Sequence, residues 1–212
     1  MKTEPRRKSP PGSGNVDGQV PIASLFDGLE DRTASVKYAC LKRLQALSET
    51  NPAALYPEWD RLAGLLDGDN DILRWGAILC LARLTVVDVD FKIDGLLERL
   101  LKYIDGPALV TAANTIKAAG IIAQAQPRLA ERLAEAVMRV ERAVYKTPEC
   151  RNVAISHAVD ALTVIVPLLS NPASAMEFVS RQTDNPRNAV RRKSLIFLRR
   201  FKKTSPGTSS TP

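Results

Sequence analysis

LRWGAILCLARL, Leu73 to Leu84, is the stretch whose reading decides the fold. Leu73, Ala77, Leu81 and Leu84 stand at steps of +4, +8 and +11, which return to within about 80° of the start at 100° per residue, so they share one helical face. Ile72, Trp75, Ile78 and Leu79 flank that face. A helix apolar over so wide an arc is an interior helix with neighbours on more than one side.

The same template recurs. Val36-Cys40-Leu44-Leu47 precedes it, and Val110-Asn114-Ala118-Ile121, Val153-His157-Ala161-Val164 and Val190-Ser194-Leu198-Phe201 follow. Each reads large, small or polar, small or medium apolar, large. The opening residues are spaced by 37, 37, 43 and 37. Before each stripe lies a second helical segment: Pro21–Glu30, Pro52–Leu66, Phe91–Ile104, Pro127–Tyr145 and Pro172–Arg181. The unit is therefore a helical hairpin of about 37 residues, repeated about five times. One hairpin cannot bury both its faces; stacked hairpins can, with polar surfaces kept for the two ends.

Punctuation agrees. Asn51-Pro52, Thr147-Pro148, Asn171-Pro172 and Asn185-Pro186 each set a capping side chain before a proline suited to the first helical position. No Asn-Gly or Asp-Gly turn joins alternating strands, so no hairpin of strands is expected.

The repeat resembles the HEAT/armadillo-like helical repeat family over roughly residues 20–202. The resemblance rests on hairpin length, an Asp in the turn, and a large-then-basic pair opening the second helix: Val36-Lys37, Leu73-Arg74 and Val190-Arg191. It implies an all-α, right-handed α-solenoid of about five helical hairpins. It also implies a ladder between the turn Asp and that base in neighbouring repeats. Asp31 and Lys37 match the pattern. Arg74 matches with Gly68 where the Asp would stand, Asp105 lacks its base at Thr111, and the fourth hairpin offers Pro148 and Ala154. Such an architecture carries no single function.

Charge is distributed unevenly. Residues 1–15 carry +3 and residues 185–212 carry +8; the total of +7 leaves −4 for residues 16–184. Residues 1–19 read as a disordered basic tail, 20–203 as the repeat domain and 204–212 as a second disordered tail. RRKS occurs at Arg6–Ser9 and again at Arg191–Ser194, a basophilic kinase pattern. Ser9 is the accessible site, where phosphate would cut the local charge. Ser194 falls in the stripe and should be packed.

The last stripe lies within RRKSLIFLRRFKK, Arg191 to Lys203, which holds no acid. With Val190 at 0°, Ser194, Phe197, Leu198 and Phe201 fall between about −20° and 80°, and the bases fill about 100° to 300°, interrupted by Leu195 and Ile196. A terminal helix needs charge, but charge of both signs would solubilise it as well. The expected partner-binding set is Arg187, Arg191, Arg192, Lys193, Leu195, Ile196, Arg199, Arg200, Lys202 and Lys203. The partner is another protein with an acidic surface. Nucleic acid is the lesser alternative, because the body is acidic and aromatic residues are sparse.

Little points to chemistry. His157 is the single histidine, and Asp160 is the nearest acid without an implied nucleophile. No P-loop, dinucleotide fingerprint or HExxH occurs. Cys40, Cys80 and Cys150 lie far apart with no CxxC, as small thiols of a reducing compartment do. Asp67–Asp71 lacks a calcium loop's distal Glu and reads as a helix start. Trp75 reads as packing rather than as a glycosylase-type base contact, and Trp59 as a surface or inter-repeat anchor. The expectation is a non-catalytic scaffold or adaptor without metal, cofactor or small-molecule substrate, docking partners on its second-helix surface and basic C-terminal cap. The start of the chain lacks the apolar region of a secretory signal, and no run of about 18 apolar residues spans a membrane. The expected location is cytoplasmic, with the nucleus left open.

Overall fold

The computed structural model describes residues 20–202, short of the Lys202 side chain. Both expected tails, Ser9 and Lys203 lie outside the described residues. Among those residues the chain is all-α, with no strand. Its helices are α1 (Ile22–Leu29), α2 (Ala34–Thr50), α3 (Pro52–Leu55), α4 (Trp59–Gly64), α5 (Asp71–Leu84), α6 (Lys92–Leu101), α7 (Leu109–Ala125), α8 (Ala130–Met138), α9 (Pro148–Ile165), α10 (Ala173–Arg181) and α11 (Asn188–Lys202).

These pair as α1 with α2, α3–α4 with α5, α8 with α9, and α10 with α11, while α6 meets α7 mainly through the 3-10 turn that follows it (Lys102–Asp105). The second helices α2, α5, α7, α9 and α11 pack each on the next in chain order. Five expected first-helix segments are present, yet shorter than their apolar patterns suggest. Pro57 breaks the second into α3, a 3-10 turn (Tyr56–Glu58) and α4, because proline cannot donate to the preceding turn. The third begins at Lys92, since Phe91 stands in the left-handed region at φ 55° and Asp88 accepts from Lys92 N and Ile93 N at 2.9 Å each. The fourth ends at Met138, and Tyr145 leaves the helix to donate to the Ile104 carbonyl at 2.5 Å.

Two of the four Asn/Thr-Pro starts cap as expected. Asn51 accepts from Ala54 N, and Thr147 Oγ1 accepts from Cys150 N. Asn171 and Asn185 instead accept from the amides two residues on, Ala173 and Arg187, as asparagine does in a tight turn; α10 and α11 start beyond their prolines. In the Asp67–Asp71 run the cap is Asn70, accepting from Ile72 N and Leu73 N.

Burial corrects the phase of three stripes. The Leu73 and Val190 stripes face inward: Leu73, Ala77, Leu81 and Leu84 are buried, as are Val190, Ser194 and Leu198. In α2 the buried residues are Leu41, Leu44 and Ser48, while Val36 is 42% exposed. In α7 Val110 is 47% exposed and Thr111, Thr115, Ala118 and Ile122 go inside. In α9 the inward face carries Ala154, Ala158, Ala161 and Ile165. Neighbours cover α7 and α9 over so wide an arc that apolar spacing sets no single phase. Each leucine fully buried in this core, such as Leu44, Leu62, Leu81 or Leu97, contributes about 1.5–3 kcal/mol.

The ladder implied by the resemblance is not what joins the hairpins. Asp31 accepts from Thr33 N at 2.6 Å and forms no ion pair with Lys37. Arg74 turns back on its own hairpin, to Asp71 and to the Leu66 and Gly68 carbonyls. Arg151 does the same to the Ala143 carbonyl at 3.1 Å, so the fourth hairpin supplies a base after all, three residues before Ala154. Arg191 bonds the Asn185 and Pro186 carbonyls at 2.8 and 2.9 Å. These bases fasten the turn within a hairpin.

A different ladder crosses the junctions, and it has one direction. Asp27 pairs with Arg61, Glu49 with Arg83, Asp67 with Arg99, Asp94 with Arg128, Glu98 with Arg132, Asp105 with Arg139, Glu141 with Arg181, Glu149 with Arg187 and Asp160 with Lys193. In every one, the acid belongs to the earlier hairpin and the base to the later. The three other ion pairs among the described residues, Glu58 with Arg61, Asp71 with Arg74 and Glu177 with Arg181, lie within a hairpin and follow helical spacing.

Candidate functional site

The directional ladder makes the two ends of the row unlike each other. Among the described residues no hairpin precedes Arg32, Lys37, Lys42 and Arg43 of the first hairpin, and none of them forms an ion pair. At the other end α11 has α9 on one flank and, among the described residues, no further helix beyond it.

The expected basic set on α11 divides by what each side chain already holds. Arg187 pairs with Glu149, Lys193 with Asp160, and Arg191 is fastened to its own turn. Arg200 lies over the Phe201 ring at 5.4 Å. Arg192 and Arg199 are exposed, and no described residue pairs with either. Between them stand Leu195, 45% exposed, and Ile196, 63% exposed. At 100° per residue, Arg192, Leu195, Ile196 and Arg199 occupy about 100° of arc, opposite the buried Val190. They form a single face: two apolar residues framed by two unpaired guanidinium groups. Ser194, in the second RRKS, is fully buried, and its hydroxyl has no hydrogen-bond partner.

Beside this face lie two hollows that share Asp160. A hollow of about 330 Å³ between α7 and α9 is lined by Lys117, Gly120, Ile121, His157, Asp160 and Val164. A second of about 270 Å³ shares Asp160 and continues over Lys193, Ile196 and Arg200 of α11. Gly120 of α7 and Ala161 of α9 lie against each other along this hollow, where even a Cβ on Gly120 would make only ordinary contact. His157 is held below its ordinary pKa by burial, and Lys193 and Lys117 push the same way against Asp160. It is the neutral imidazole that faces the hollow at pH 7.

Sequence reasoning singled out α11, read His157 as a packing residue, and missed Lys117, Ile121 and Gln124 as its neighbours, since only packing brings α7 beside α9. It also missed an apolar loop. Val86, Val89 and Phe91 are 64%, 78% and 53% exposed between α5 and α6. Phe91 lies under the Arg128 guanidinium at 4.6 Å, and Tyr56 of the preceding hairpin donates to Asp88 at 2.6 Å and to Asp90 at 3.2 Å. Partial burial and that bond to Asp88 hold the Tyr56 phenol above its ordinary range, so it stays a donor. This cluster fixes the loop against the array.

No protein-family model matches the chain, and the search of curated proteins gave no match. The site is therefore read from its own chemistry.

Trp75 donates its Nε1–H to Thr111 Oγ1 at 2.9 Å across the α5–α7 junction. Trp59 is buried rather than superficial, packed edge-on against Tyr56 with ring centroids 6.0 Å apart. Both tryptophans thus serve packing. Among the described residues no helix is long and apolar enough to cross a membrane.

Proposed function

We propose that the chain is a non-catalytic scaffold or adaptor: a right-handed, HEAT-like α-solenoid of about five hairpins that docks an acidic partner protein. The second-helix surface and the outward face of α11 carry the contact. One observation supports this reading most. Arg192 and Arg199 stand unpaired around exposed Leu195 and Ile196, on the only second helix whose far flank has no successor among the described residues. Exposed apolar residues rimmed by charge are the usual composition of a docking surface.

The reading favours binding over catalysis because the one histidine sits between two lysines and an aspartate with no nucleophile in that set. Three free thiols, one fully buried, suit a reducing compartment such as the cytoplasm.

The test is capture on the immobilised full chain, with and without nuclease, comparing wild type with Arg192→Glu/Arg199→Glu. Arg191 and Lys193 are left unchanged, because both are already bonded within the array. A defined protein retained after nuclease and lost with the variant supports the adaptor reading. Retention that depends on intact nucleic acid contradicts it and makes α11 a phosphate-binding surface.

A further inference from the structure

We infer that the outward face of α11 is covered by an amphipathic, acid-flanked helix of another protein, and not by a second copy of this chain; the inference rests on the adaptor reading above. The direction of the ladder carries it. At every junction the earlier hairpin gives carboxylates and the later gives bases. A sixth hairpin of the same kind, or the first hairpin of another copy, would bring bases to α11. But α11 has no carboxylate to receive them, and it already shows Arg192 and Arg199.

A copy stacked head to tail fails on both sides of the junction. On the second-helix side, α2 would bring Lys42 and Arg43 against Arg192 and Arg199. On the first-helix side, Asp184 of the last hairpin would look for a base on α1, whose sequence IASLFDGL has none. Like charges facing each other across a contact cost free energy and select against that partner.

The occupant that fits has the reverse charge. Every earlier second helix is covered by the next one in chain order, and α11 leaves Leu195 and Ile196 uncovered among the described residues. Leu195 and Ile196 form its short apolar ridge, and an apolar stripe at i, i+3/i+4, i+7 would lie along them. Carboxylates flanking that stripe would meet Arg192 and Arg199, as Asp94 meets Arg128 within the array.

The experiment titrates the full chain into a labelled synthetic helix of about 18 residues, with a leucine stripe flanked by glutamates, followed by fluorescence anisotropy. The controls are the same composition with the leucines dispersed round the helix, and the same stripe flanked by lysines. Saturable binding that weakens roughly tenfold or more with Arg192→Glu/Arg199→Glu, and equally with dispersed leucines, is expected. All four face residues are exposed, so an unchanged melting temperature shows that the variants fold; Leu195→Ser/Ile196→Ser serves as the uncharged second variant.

Equal affinity for the dispersed peptide overturns the inference, because charge alone then suffices. So does the absence of saturable binding, or unchanged binding by the variants. Sedimentation showing a dimer that Arg192→Glu/Arg199→Glu abolishes overturns it as well, in favour of a second copy. If the peptide fails while nuclease-resistant capture is still lost with the variant, the adaptor reading stands and only the helical occupant falls.

Discussion

Asp94 and Arg128 are 34 residues apart in sequence and joined by two parallel hydrogen bonds of 2.7 and 3.0 Å across the junction between α6 and the 3-10 turn before α8. The same guanidinium stacks on Phe91 and bonds Gln126. Asp94 has one tie and Arg128 has three, so the two ends of this pair are unequal. Arg128→Ala should cost more stability than Asp94→Ala, and a double-mutant cycle should give a coupling of about 0.5–1 kcal/mol, because both side chains are roughly half exposed. The coupling should shrink as salt is raised from low to molar concentration. Urea melts of the four proteins check this. Zero coupling at low salt would remove the ladder from the forces that join the hairpins.

Ser194 offers a gain rather than a loss. Its hydroxyl is buried without a partner, so Ser194→Ala removes an unsatisfied group at the cost of one atom of volume. Stability should rise by about 1 kcal/mol. A thermal melt showing a lower midpoint would mean that the hydroxyl is bonded in solution. The burial also predicts that basophilic kinases leave Ser194 unmodified in the folded protein.

Glycines at two positions should respond in opposite directions. Gly106 has φ 101° and ψ −167°, a region that L side chains rarely adopt, and a Cβ there would press on the Val144 carbonyl. Gly106→Ala should cost about 1–3 kcal/mol. Gly95 sits exposed within α6 with open space around it, and Gly95→Ala should stabilise by about 0.5–1 kcal/mol. Denaturant midpoints of the two variants give the comparison.

His157 predicts a pH dependence whose sign is fixed by its depressed pKa. Below about 6.5 the unfolded chain takes up a proton on this imidazole while the folded chain resists it. Stability contributed by the neutral, packed form is therefore full above that value and is lost as pH falls through it towards the lower folded pKa. His157→Gln should flatten this part of the stability–pH curve between pH 7.5 and 5.5. A slope unchanged by the substitution would place the titration elsewhere.

Cysteine chemistry should separate the three thiols. Burial pushes Cys80 up to about 11, while Cys40 and Cys150 are only partly buried. At pH 8 under native conditions, a thiol reagent should modify Cys40 and Cys150 first and Cys80 only on unfolding. Mass spectrometry of timed samples reads the order, and early labelling of Cys80 would contradict the packing of α5.

How much of this was legible in the sequence follows from the physics of each element. The Leu73 stripe was readable because leucine fills three of its four positions, although α5, like α7, is apolar over a wide arc. The α7 stripe was misread because LVTAANTIKAAGIIAQA is apolar or small all round, and its helix is covered on several sides. The breaks at Pro57 and Phe91 were local facts hidden under longer apolar patterns. The bases of α11 were legible as a set, but which of them were already taken was not. Glu149 and Asp160 lie 38 and 33 residues before their partners, and only the repeat geometry brings them together. The direction of the ladder was invisible for the same reason.

The most direct test of the account is hydroxyl-radical footprinting of the full chain, alone and bound to the partner retained by nuclease-resistant capture. The account predicts that Leu195 and Ile196 lose most of their reactivity in the complex, while Val86 and Val89, also apolar and exposed, keep theirs. Protection confined to Val86, Val89 and Phe91, with α11 still open, would contradict it.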